Sequence, residues 1–63
     1  MTDEAERELR QEILTQVLQI KKSLSIFEDS FRLRQYDFAQ RELSFLIGLV
    51  YSVEHRLGDA VKP

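Results

Sequence analysis

Apolar residues recur along the first half of the chain as Leu9, Ile13, Val17, Ile20, Leu24, Phe27 and Phe31, at intervals of 4, 4, 3, 4, 3 and 4. In the second half they recur as Ala39, Leu43, Leu46, Val50, Val53 and Leu57, at 4, 3, 4, 3 and 4. Steps of three and four place side chains on one face of a helix, whereas a half-buried strand alternates every second residue. Two such runs fill 63 residues and leave room only for a short joint. The expected fold is all-α: an antiparallel two-helix hairpin, with helices over about 3–33 and 37–57. The chain reads as a single domain, 1–63, with 59–63 as a frayed tail.

The helix ends carry local signals. Thr2 or Asp3 suits the first N-cap, and Asp3, Glu4, Glu6 and Glu8 load the positive end of the helix dipole. The joint, RLRQYDFAQREL over 32–43, holds no glycine or proline. Asp37 followed three residues later by Gln40 reads as a capping box that opens the second helix near Tyr36 to Phe38. In that reading Tyr36 and Ala39 pack inside the corner, large against small. Gly58 stands one residue past the last periodic leucine and reads as the C-terminal cap.

A core this small rarely supplies more than ~3–5 kcal/mol, and small domains usually add disulfides, metals or a partner. The chain has no cysteine. Association is the remaining route, and the apolar content agrees. Leu14 and Leu18 flank the first run. Phe38, Phe45 and Leu49 flank the second on one side, and Ile47 and Tyr51 on the other. One antiparallel neighbour does not cover so wide an arc. These seven residues are the expected interface, which completes a helical bundle by self-association with an identical chain (a homodimer) or with another helical protein. Ser44, Gly48 and Ser52 lie opposite the seam, as a narrow solvent face or as a groove for close helix approach.

Few chemistries fit. No glycine-rich phosphate loop or zinc spacing occurs, and the lone histidine, His55, has neighbours Glu54 and Arg56 but no positioned nucleophile. The expectation is a non-enzyme with no cofactor or metal. Net charge is −2, so no global field recruits nucleic acid. Arg32, Arg34 and Arg41 cluster around the joint as a candidate patch for an anionic partner, offset by Glu28, Asp29 and Asp37. The longest apolar run, FLIGLVY over 45–51, is far short of the ~20 residues of a membrane span. The polar, acidic start is unlike a secretory signal. A cytoplasmic protein is expected.

The carboxy-terminal half also carries a resemblance. Gln35, Tyr36, Gln40, Arg41, Glu42, Leu46, Val50, Val53, Gly58 and Asp59 form a pattern that resembles the small co-chaperones of the type III secretion needle subunit. That resemblance implies a short, cysteine-poor helical hairpin that packs against a larger helical-repeat chaperone. The pair keeps the needle subunit soluble and unpolymerised in the cytoplasm. Family members tend to carry a glycine-bearing turn before the tyrosine, where this chain has FRLR. The first helix resembles the family in length and character only.

Overall fold

The computed structural model describes residues 2–61. Two helices, α1 (Asp3–Arg32) and α2 (Tyr36–Val61), pack side by side as an antiparallel hairpin, with Cα extents of 47 × 15 × 10 Å. Among the described residues there is no strand.

The start of α1 follows from its sequence. Thr2 is the N-cap, in extended backbone conformation, and its Oγ1 accepts a hydrogen bond from the Ala5 amide at 3.2 Å. Asp3, Glu4 and Glu6 sit in the first turn and Arg32 in the last, each sign at the dipole end that favours it. No glycine or proline interrupts the helix.

The joint differs from the capping-box expectation. Leu33 is the C-cap of α1. The Arg34 amide donates to the Phe31 carbonyl at 3.0 Å, and the Gln35 amide donates to the Ser30 carbonyl at 2.9 Å. This pair of bonds is a Schellman motif, which needs a left-handed residue just past the cap. That residue is Arg34, at φ 60°. Helix α2 then starts at once, with the Ala39 amide donating to the Gln35 carbonyl at 2.9 Å. Asp37 therefore lies within the first turn of α2, not at its cap. The chain is turned by the way α1 ends, because the Schellman bonds leave Gln35 already placed to open the next helix.

A left-handed conformation costs an L-residue about 1–2 kcal/mol that glycine avoids. Part of the gain from glycine is offset by its greater freedom in the unfolded chain. Arg34→Gly is expected to stabilise the hairpin by roughly 0.5 kcal/mol, read as a small rise in Tm. A fall in Tm would mean that the arginine side chain itself holds the joint.

The far end also differs. Gly58 does not stop α2, which continues through Asp59 to Val61. The glycine keeps a negative φ, so the left-handed cap that would have ended the helix does not form. Of the expected tail, Lys62 and Pro63 lie outside the described residues.

The seam between the helices is rotated from the one expected. The more buried positions of α1 are Leu9, Ile13, Gln16, Val17, Ile20, Ser23, Ile26, Phe27 and Ser30; those of α2 are Ala39, Glu42, Leu46, Leu49, Ser52, Val53 and Arg56. With Val17, Ile26 and Ser52 set beside them, the rest alternate steps of three and four, the spacing of a coiled-coil seam. Yet among the described residues only Ala39, Leu46, Ser23 and Ser30 are buried. Leu24, Phe31, Leu43, Val50 and Leu57, all expected in the seam, are each more than a third exposed. The helices meet instead through small residues near the joint, where Ser23, Ser30 and Ala39 let the backbones approach. The Ser30 hydroxyl donates to the Ile26 carbonyl at 2.9 Å, so its burial leaves no donor unmet.

Candidate interaction surface

Nearer the open end the seam is polar. Gln16 Nε2 donates to Ser52 Oγ at 2.8 Å, and the Arg56 guanidinium pairs with the Glu12 carboxylate. Gln16 Oε1 and Arg56 Nε are buried there with no hydrogen-bond partner in the hairpin. A half-exposed ion pair of this kind is worth at most about 1 kcal/mol. Ser52, expected on the face away from the seam, is therefore part of the seam. Ser44 and Gly48 do face solvent, and a Cβ added at Gly48 would meet nothing within 4 Å.

One residue beyond several seam positions stands a large apolar one. Val17 follows Gln16, Leu24 follows Ser23, and Phe31 follows Ser30. In α2, Leu43 follows Glu42, Val50 follows Leu49, and Leu57 follows Arg56. One step along a helix is a rotation of about 100°, so these residues form a stripe on the side of each helix. The helices run in opposite directions, so the same sense of rotation along each chain carries both stripes to the same side of the hairpin. The aromatic rings confirm this. Phe31 of α1 meets Tyr36 of α2 edge-on at 5.9 Å between centroids, and Phe27 stacks beside Phe31 at 6.2 Å. Tyr36 belongs to the stripe, seven residues before Leu43, and is exposed instead of packed inside the corner.

The result is one continuous apolar face along the hairpin. Isoleucine and phenylalanine positions shared with the seam lie at its centre (Ile13, Ile20, Phe27), and the exposed stripes lie beside them. Leu14 and Ile47 widen it at the edges, and Leu46, Ile47, Val50, Tyr51 and the carboxylate-bearing Glu54 line an open groove along α2. Monomeric soluble proteins rarely expose a contiguous apolar patch beyond a few hundred Å², and larger ones mark interaction sites. Burying a leucine or phenylalanine fully is worth roughly 1.5–3 kcal/mol, so half-exposed residues along this whole face leave a large stabilisation unrealised.

The expected interface residues distribute as follows. Leu14, Leu18 and Tyr51, each more than half exposed, and Ile47, nearly half, lie on the stripe side or on the flank beyond it. Phe38 and Phe45, also more than half exposed, lie on the opposite side of α2 with Leu33 and Ile26 of α1, as a smaller patch near the joint. Toward the open end that side turns polar, with Glu12, Gln19 and Ser52. Leu49 is half-buried and faces α1, so it belongs to the hairpin seam. Sequence reasoning missed Leu43, Val50 and Leu57 as surface residues because their heptad spacing is the signature of a seam.

Arg32, Arg34 and Arg41 are all exposed around the joint, as are Glu28, Asp29 and Asp37 between them. His55 is exposed on the outer side of α2. Among the described residues no cluster of histidine, cysteine, aspartate or glutamate could hold a metal ion, and no helix is long and apolar enough to cross a membrane. Comparison with family models, with curated proteins and with solved structures finds no match to this chain.

Proposed function

We propose that this chain is a non-enzymatic helix-packing subunit whose apolar face is covered by the helices of another protein. The observation that carries the reading is the division of labour between the two faces. Small and polar residues (Gln16, Ser23, Ser30, Ala39, Glu42, Arg56) share the seam with Leu9, Ile13, Ile20, Phe27, Leu46, Leu49 and Val53, while a further set of large apolar residues, Leu24, Phe31, Leu43, Val50 and Leu57, is turned outward. A hairpin selected to stand alone would place those side chains between its own helices, where burial stabilises it.

The specific form we favour is a co-chaperone or adaptor subunit like those of the type III secretion needle, acting in the cytoplasm beside a larger helical-repeat chaperone. What supports it is the pattern from Gln35 to Asp59, which resembles that family, with Val50 on the exposed stripe and Leu46 and Val53 under it. The chain departs from the family at the joint, where members tend to carry a glycine-bearing turn before the tyrosine and this chain has FRLR, with Arg34 in the left-handed position. The second reading is a homodimeric four-helix-bundle regulator that binds RNA or masks a target protein. Its contact residues for RNA would be Arg32, Arg34 and Arg41, but the interspersed acids leave that tip with little net field.

The test is capture from the native host with the tagged chain and with a variant carrying Leu43→Lys and Val50→Lys. The native chain is expected to retain a helical-repeat protein, identified by mass spectrometry, and the variant to lose it. Equal recovery with both chains would overturn the assignment of this face.

A further inference from the structure

The same face has a second occupant of the right shape. We infer that, when its partner is absent, the chain covers the stripe with a second copy of itself, the two hairpins lying face to face with their joints at the same end. This rests on the reading of the stripe as the partner-binding face, and it adds that self-association competes for that face.

The area suits a weak, concentration-dependent pair. The apolar part of α1 from Ile13 to Phe31 runs about 27 Å along a side 15 Å across between Cα atoms, toward the low end of specific interfaces. Its apolar length is similar on both helices, because Gln11 to Arg32 runs level with Leu57 to Tyr36. That register is set by the Gln16–Ser52 and Glu12–Arg56 pairs. Each α1 residue stands level with the α2 residue whose number completes 68.

Charge at the edges selects the orientation. Lys21 borders the stripe on α1, near the middle of its length, and stands level with Ile47 on the border of α2. A two-fold axis along the helices lays α1 of one copy over α2 of the other. Lys21 then meets the partner's Ile47, Leu14 meets the partner's Glu54, and Glu28 meets the partner's Gln40. No like charges face each other. The one charged residue in the line of the stripe from residue 10 to residue 57, Arg10, comes within about one turn (~6 Å along the axis) of the partner's Glu54. Turning one copy end for end instead sets Lys21 against the partner's Lys21, a like-charge contact that disfavours that arrangement.

The chain has no cysteine, so introduced thiols report the geometry without interference. A chain carrying Leu14→Cys and a tagged chain carrying Glu54→Cys, both keeping Lys21, would be mixed, exchanged and oxidised, alongside a chain carrying Ile47→Cys, with sedimentation equilibrium run on the native chain in parallel. The expected result is a concentration-dependent dimer and a mixed disulfide between positions 14 and 54 in large excess over the Ile47→Cys self-disulfide that the end-for-end arrangement would give. Adding Val50→Lys to both chains of the mixed pair is expected to weaken the dimer by at least a hundredfold and to remove the cross-link, while helical circular dichroism stays. A monomer at every concentration, or a predominant Ile47→Cys self-disulfide, would overturn the inference. Neither result bears on capture of a different protein by this face, so the broader reading stands or falls separately.

Discussion

Leu46→Asp is expected to abolish the helical circular dichroism of the purified chain at concentrations where the native chain is folded. Leu46 is the one large apolar residue of the described hairpin that is buried, at 9% exposure. It sits on the α2 side of the seam, and the rest of the seam is lightly packed: Ser23, Ser30 and Ala39 contribute little side-chain area. Losing the leucine forfeits roughly 1.5–3 kcal/mol. An unpaired carboxylate cannot stay in an apolar seam, so the helices must also part or the acid must take up a proton, at a further cost of a few kcal/mol. The sum, about 3–5 kcal/mol, equals the whole stability that a core of this size supplies. A Leu46→Asp chain with unchanged helicity and Tm would show that the two helices do not meet where the structure places them.

Leu43→Lys with Val50→Lys is expected to do the reverse, leaving helicity and losing association. Leu43 is 39% exposed and Val50 is 48% exposed, so each long lysine can lay its stem along the helix and keep its ammonium in water. Lysine is also the better helix former at position 50. The intramolecular cost is therefore small. In a complex the same two ammonium groups are forced toward an apolar partner surface with no acid to meet them. Desolvating even one costs several kcal/mol, and roughly 2.7 kcal/mol is already a hundredfold in affinity. Binding should fall at least that far by sedimentation or titration calorimetry, with circular dichroism as the control on the same samples. Parallel loss of helicity and affinity would move Leu43 and Val50 into the hairpin's own core, where their spacing alone would put them.

That spacing explains what the sequence reveals and what it conceals. The helix count, the helix starts and the hairpin are legible because apolar steps of three and four persist along both halves. The orientation of each helix is not. Periodicity locates the centre of an apolar arc, and here that centre lies between two contacts: the helix of the same chain on one side and the open face on the other. The seam residues that decide the rotation, Gln16, Ser23, Ser30, Glu42 and Arg56, do not look like core in a sequence. Their burial is a consequence of close backbone approach and of pairs formed across 36 and 44 residues of chain. Surplus apolar surface was readable, and Leu14, Leu18, Ile47 and Tyr51 are where it predicts. The joint was not readable. A Schellman motif ordinarily announces itself with glycine, and Arg34 takes the left-handed position without that signal.

The sparse interior of the hairpin has a consequence for how much of this protein a cell can keep. Most of the stabilisation available to these side chains is realised only when something lies over them, so the folded population follows the concentration of whatever does so. If another protein covers this face as proposed, copies in excess of it would open more often and be cut by proteases, so turnover would match the amount of this chain to that of its complement.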